Sequence, residues 1–191
     1  NHSSDSIFFI HKKNSLNLLY SDKLKKYNNL TSTYPDFRAN NKVYLNQGGF
    51  SSYQSDYPLK MIEKKGSILS PVNVLLNRYA DKNFIFFRNI FHLPITDKFE
   101  VLLVNIKSFK ILKVFECKTN QMNILNIDKE YISNENYIFS NNYLGIPIFC
   151  SEYNGYISLE HTHPPHEYIL SNDKFKKVAE IKKQIYEKIF K

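Results

Sequence analysis

Apolar and polar positions follow a strand-like rhythm through the middle of this chain and a helix-like rhythm only near its end. Phe84 to Leu93, Phe99 to Ile106 and Phe109 to Cys117 are rich in aromatic and β-branched residues and are separated by short polar breaks, which predicts the central strands of an antiparallel sheet. In the first of these, Phe84, Phe86 and Arg88 alternate with Ile85, Phe87 and Asn89, so apolar side chains point to both faces and both need cover. A helix packed on the sheet is the expected cover. Asn105-Ile106-Lys107-Ser108 is the turn between the second and third strands, and Met122 to Ile127 and Tyr137 to Phe139 are further strand segments. Asn154-Gly155 is a type I′ turn signal between Ile146–Glu152 and Tyr156–His163, and it predicts a β-hairpin.

Two helices are expected. Ser70-Pro71 places a hydroxyl acceptor at a cap and a proline at the first helical position, with Val72, Leu75, Leu76 and Tyr79 following at helical spacing, which predicts a short helix over 71–80. Beyond the cap candidates Ser171, Asn172 and Asp173, the residues Phe175, Val178, Ile181, Ile185 and Ile189 form one apolar stripe of an amphipathic helix over 173–190. The N-terminal residues 1–41 are irregular, with short strands at 7–10 and 16–20. Val43 to Leu45 is a short strand ending at Gly48-Gly49, and Phe50 to Pro58 has no period and reads as a loop. The fold class expected is therefore α+β: residues 1–191 as a single domain, mainly antiparallel sheet, with helices near 71–80 and 173–190.

Composition narrows the function classes. The apolar runs are all interrupted well short of the roughly 20 residues that cross a bilayer, so no membrane span is expected. The formal charge is +8, but only Arg38, Arg78 and Arg88 are arginines. Bidentate phosphate and base-edge recognition leans on arginine, so a lysine-dominated excess argues against a nucleic-acid binder and toward an anionic or sugar-containing small molecule. Cys117 and Cys150 are far apart and outside any CxxC pair, the pattern of buried free thiols in a reducing, cytoplasmic setting. No export signal is visible, although the sequence begins without Met. Oligomeric state has no signature.

The most unusual segment is Glu160-His161-Thr162-His163-Pro164-Pro165-His166-Glu167. Alternation from Ile157 and Leu159 puts His161 and His163 on the apolar side of their strand and Glu160 on the other. Two imidazoles at i and i+2 are roughly 7 Å apart at Cα, within reach of one metal ion. The prolines end the strand and bring His166 and Glu167 to the same edge. Three readings stand side by side. His161, His163 and His166 bind a divalent zinc, manganese or iron ion; the histidines work without metal in proton transfer or ligand binding, with a carboxylate such as Glu152, Glu160 or Glu167 as partner; or they are structural.

His161-Thr162-His163-Pro164, with Ser171 and Asp173 downstream, resembles a fragment of the JAMM/MPN metalloprotease motif. That resemblance implies a zinc held by two histidines and an aspartate, with an upstream glutamate organising its water. It spans about a dozen residues, and it departs from the family in a serine-to-aspartate spacing one residue short and in a final helix where that fold continues with strands. The family is not assigned.

A second candidate is the segment Gly48, Gly49, Ser51, Ser52, Tyr53 and Gln54. Hydroxyl and amide groups beside two glycines suit a sugar or phosphate. The functional expectation is an enzyme that hydrolyses or transfers a group on a phosphate- or sugar-containing substrate at the histidine cluster, in a pocket formed where the hairpin end meets the Gly48 to Tyr57 loop. The alternative is a non-catalytic carbohydrate- or protein-binding module using the chain's many aromatic rings.

Overall fold

The computed structural model describes residues 38–46, 50–56, 65–93, 95–161 and 174–191. Two expected strands, at 7–10 and 16–20, lie outside these residues.

The described strands are β1 (Arg38–Tyr44), β2 (Phe50–Asp56), β3 (Ile68–Pro71), β4 (Lys82–Arg88), β5 (Lys98–Asn105), β6 (Lys110–Lys118), β7 (Met122–Asn126), β8 (Asn136–Ser140), β9 (Ile146–Tyr153) and β10 (Tyr156–His161). A helix, α1 (Lys174–Ile189), follows, and a 3-10 turn covers Lys129–Tyr131. Sheet I has the order β10-β9-β4-β7 and sheet II the order β3-β8-β5-β6; β1 and β2 form a separate two-stranded ladder. Every pairing is antiparallel.

The main core lies where sheet I meets sheet II. Phe87 of β4 approaches Phe99 of β5 with ring centroids 6.1 Å apart. Ile85, Leu125, Val101, Leu103 and Ile138 fill the rest of the interface and are almost wholly buried. One-residue alternation turns Leu69, Leu102, Val104 and Phe139 to the far side of sheet II, where Ile181, Ile185 and Ile189 of α1 cover them. Sheet II is thus enclosed by sheet I on one face and α1 on the other.

This arrangement corrects the expected α+β fold class. The described chain is mostly antiparallel strand, split into two four-stranded sheets and a ladder, and α1 is its one α-helix among the described residues. The helix expected over 71–80 is not formed. Ser70 and Pro71 instead close β3, with Pro71 opposite Tyr137 at the edge of sheet II, where its missing N–H costs no ladder bond. Residues 72–80 then cross from one sheet to the other. Of the stripe that suggested a helix, Val72 and Leu76 are buried, Leu75 is half-buried and Tyr79 is exposed. Side chains of sheet I, however, take the backbone bonds a helix would have made. Asn83 Nδ2 donates to Asn77 O at 3.0 Å, the Asn77 N–H meets Asn83 Oδ1 at 3.2 Å, and Ser151 Oγ donates to Asn83 Oδ1 at 2.7 Å. Tertiary partners here outweigh a propensity worth only tenths of a kcal/mol per residue, a magnitude of about 0.5.

The cover expected of a helix against β4 comes instead from sheet II on one face. On the opposite face Phe84 and Phe86 are half-buried and Arg88 is fully buried. Three local expectations are met. Asn154 and Gly155 adopt φ 48 and 79 in the β9–β10 turn, the left-handed pair a type I′ turn requires. Asn105 Oδ1 accepts from the backbone N–H groups of Lys107 and Ser108 at 3.1 and 2.9 Å and folds the β5–β6 turn. The C-terminal helix packs through its predicted stripe.

Candidate functional site

The ladder of β1 and β2 overturns the loop expected over Phe50–Pro58. Phe50 to Asp56 is a full strand, in register with Tyr44 to Arg38, so part of the region taken as irregular also pairs. Its missing period arises because both faces are polar. Val43, Ser51 and Tyr53 lie half-buried on one face, whereas Lys42, Tyr44, Phe50 and Ser52 are exposed on the other. The candidate ligand residues are therefore divided: Ser51 and Tyr53 share the inner face, Ser52 points out, and Gln54 pairs with Asn40 along the ladder. Gly48 and Gly49 lie outside the described residues.

The inner face of this ladder meets β10, the edge strand of sheet I. Register places His161 opposite Ile148, which in turn stands opposite Phe86, so His161 lies on the sheet I face that carries Phe86, Ile148, Cys150 and Leu159. That agrees with the apolar side expected for it. Its side chain is only 8% exposed. The Tyr53 hydroxyl, 108 residues away in sequence, lies against both imidazole nitrogens, 2.7 Å from Nε2, with ring centroids 4.4 Å apart.

Glu160 points to the opposite side by alternation, yet at this edge its carboxylate turns back. Oε1 accepts from the His161 backbone N–H at 2.9 Å and lies 3.2 Å from Nδ1. A carboxylate can only accept, so an N–H on Nδ1 suits Glu160, while the Tyr53 hydroxyl lies within reach of both ring nitrogens and bonds whichever one the tautomer leaves to it. Tyr53 phenol, His161 imidazole and Glu160 carboxylate thus form a contiguous chain of contacts. Glu152, the other carboxylate considered, is engaged with Lys82 at 3.2 Å and pairs with Ile157.

His163, His166 and Glu167 lie outside the described residues. Among the described residues no group of three or more His, Cys, Asp or Glu side chains is placed to hold a metal ion. Cys117 and Cys150 are buried free thiols, as expected, and burial pushes each up to about 12 from the usual 9.0. Neither is a nucleophile near neutral pH. No described helix is long and apolar enough to cross a membrane.

Sequence reasoning missed two features. Arg88 is 0% exposed, on the same face of sheet I as His161, since it stands opposite Ile146 two residues along from the Phe86–Ile148 pair. Its signal was an arginine closing an apolar strand in a chain that uses lysine almost everywhere else. The second is the specific contact of Tyr53 with His161: a pocket between the hairpin end and the 48–57 segment was expected, but not which side chains of the two would touch. The chain matches no protein-family model, no curated protein and no solved structure.

Proposed function

We propose that the protein is an enzyme centred on His161, working by proton transfer on a phosphate- or sugar-containing small molecule. The observation that supports this reading is the Tyr53–His161–Glu160 chain, assembled from two strands that only the tertiary fold brings together. Glu160 fixes the ring tautomer, and His161 exchanges a proton with the Tyr53 hydroxyl. Tyr53 in turn is the acid, or after losing its proton the base, toward a substrate hydroxyl or leaving group. Ser51, on the same strand face, offers a further hydroxyl for orientation. An anionic or polar ligand suits the chain's formal charge of +8. A cytoplasmic setting suits the two free thiols.

The test is a hydrolysis and transfer screen with chromogenic phosphate esters and glycosides, run on wild type, Tyr53→Phe and His161→Gln. Loss of general acid–base catalysis is expected to lower the rate by about 100-fold or more in either variant. Rates equal to wild type in both would sink the proposal. Elemental analysis of wild type beside a His161→Ala, His163→Ala variant covers the metal form of the same centre. Near-stoichiometric zinc, manganese or iron that disappears in the variant replaces the proton-transfer reading with a metal site at His161, His163 and His166.

One observation favours a second, non-catalytic reading. Tyr44 and Phe50 are 66% and 63% exposed on the outer face of the ladder and stack at 5.8 Å, a ring pair suited to a sugar or a protein partner. Glycan retention lost in Tyr44→Ala and Phe50→Ala but kept in His161→Gln would favour it.

A further inference from the structure

The tip of the β9–β10 hairpin carries chemistry that the His161 centre does not use. Asn154-Gly155 is the one Asn-Gly step in the chain. The carbonyl carbon of an asparagine side chain is an electrophile, and the backbone nitrogen of the next residue closes a five-membered ring when it attacks. Glycine has no Cβ to hinder that approach, and a Cβ built on Gly155 meets nothing within 4 Å, so the tip is open on that side. Both residues are exposed. Asn154 is held through its backbone N–H, and its side-chain amide makes no hydrogen bond among the described residues.

The folded turn keeps the two reacting groups apart. In a type I′ turn, with Asn154 at φ 48, Cβ of Asn154 and the Gly155 nitrogen lie on nearly opposite sides of the Cα–C bond, so ring closure needs the tip to open first. Little packing resists that opening. Tyr153 and Tyr156, the last pair of the ladder, are 52% and 79% exposed and stand outside both core clusters. The bond that pins the tip runs from the Asn154 N–H to Asp81 Oδ2 at 2.8 Å, and Asp81 is itself tied to β9 by its N–H bond to Glu152 O at 2.8 Å. Segments with so few buried contacts open locally while the rest of the fold stays intact.

We propose that Asn154 is a modification site, which deamidates by attack from its own chain at a rate set by the Asp81 clamp. In the opened tip the Gly155 nitrogen gives its proton to solvent base and bonds to Asn154 Cγ; the Cγ–Nδ2 bond then breaks, and ammonia leaves with a proton from solvent. Water opens the cyclic imide at either carbonyl and leaves aspartate or isoaspartate at 154, so each event consumes one water and releases one ammonia. Either product sets a carboxylate beside that of Asp81, and the like charges weaken the clamp. Isoaspartate also lengthens the backbone, which a two-residue turn absorbs only by shifting the Tyr153–Tyr156 register. The site lies at the opposite end of β10 from His161 and does not rest on that centre.

The test ages the full chain, folded and in urea, at mildly alkaline pH and follows each asparagine by peptide mass spectrometry, with fragmentation to tell aspartate from isoaspartate. In the folded protein Asn154 is expected to convert before every other asparagine of the described residues, and more slowly than in urea. Asp81→Ala is expected to raise the folded-state rate at Asn154 about fivefold, and Asp81→Asn, which keeps an acceptor without the charge, about twofold. The second variant decides the matter where the first fails to fold. Conversion of another described asparagine ahead of Asn154, a folded rate equal to that in urea, or an unchanged rate in the variants would each overturn the proposal. So would a rise shared by the buried Asn83 and Asn136, since that marks global unfolding and not release of a clamp.

Discussion

Gly145 sits where the chain between β8 and β9 passes over the core, and an added methyl group there has nowhere to go. A Cβ built on Gly145 falls 2.3 and 2.5 Å from Cε1 and Cζ of Phe87 and 2.9 Å from the Arg88 carbonyl oxygen. The Phe87 ring is 0% exposed and has Phe99 behind it, so it cannot retreat without disturbing the interface of the two sheets. The carbonyl belongs to β4, which is paired on both sides. Overpacking of a filled core costs about 1–3 kcal/mol, and contacts this short on a ring and a strand backbone place Gly145→Ala near the top of that range, about 3 kcal/mol. For a chain of 191 residues this corresponds to a fall in Tm of about 6–12 °C. Urea unfolding followed by circular dichroism is expected to show a lower midpoint with an unchanged slope. Adding Phe87→Leu, which removes the clashing ring edge, is expected to give a favourable coupling of about 1 kcal/mol or more. A loss under about 0.5 kcal/mol in Gly145→Ala, the level of an ordinary surface change, would refute the close-approach argument.

Three further outcomes are expected. A double-mutant cycle of Tyr53→Phe and His161→Gln in chemical unfolding should give a coupling of about 1 kcal/mol, because one hydrogen bond ties the β1–β2 ladder to sheet I; zero coupling would mean that the ladder is held by other contacts. Ile185→Ala empties a fully buried position between α1 and sheet II and should cost about 3 kcal/mol; calorimetry showing a near-neutral change would mean that the helix is not part of the cooperative fold. At alkaline pH the two thiols favour the fold only while protonated. Their folded values are raised from the usual 9.0 to about 12, so the stability they contribute is full below pH 9.0 and is lost as pH rises from there toward 12. Each thiol should account for about 1 kcal/mol per pH unit in that window, and Cys150→Ala should flatten the decline; an identical slope in the variant would contradict the assignment.

The local code of this chain was legible wherever a short stretch carried its own instruction. Asn154-Gly155 determined a type I′ turn because only residues tolerant of positive φ fit it. Asn105 capped its own turn, and the Ile181, Ile185, Ile189 stripe named the face of α1 that would be buried. At Ser70-Pro71 the same kind of signal misled, since a cap and a first-turn proline also suit the end of an edge strand, and bonds from Asn83 and Ser151 decided between the two. Period also failed at β2, because a ladder with polar residues on both faces carries no apolar alternation.

The candidate centre divides in the same way. Sequence singled out His161, placed it on the apolar side of β10 and drew attention to Tyr53, all from strand alternation and residue type. The two segments were expected in one pocket, but only the tertiary structure paired Tyr53 with His161, and only the edge position of β10 let the Glu160 carboxylate curl back to Nδ1. Sequence by itself determined which segments extend, turn or coil, because those choices rest on backbone conformation and short-range hydrogen bonds. The division of strands between two sheets, the burial of Arg88 and the company His161 keeps were decided by long-range packing, where the competing arrangements differ in contacts that no local pattern encodes.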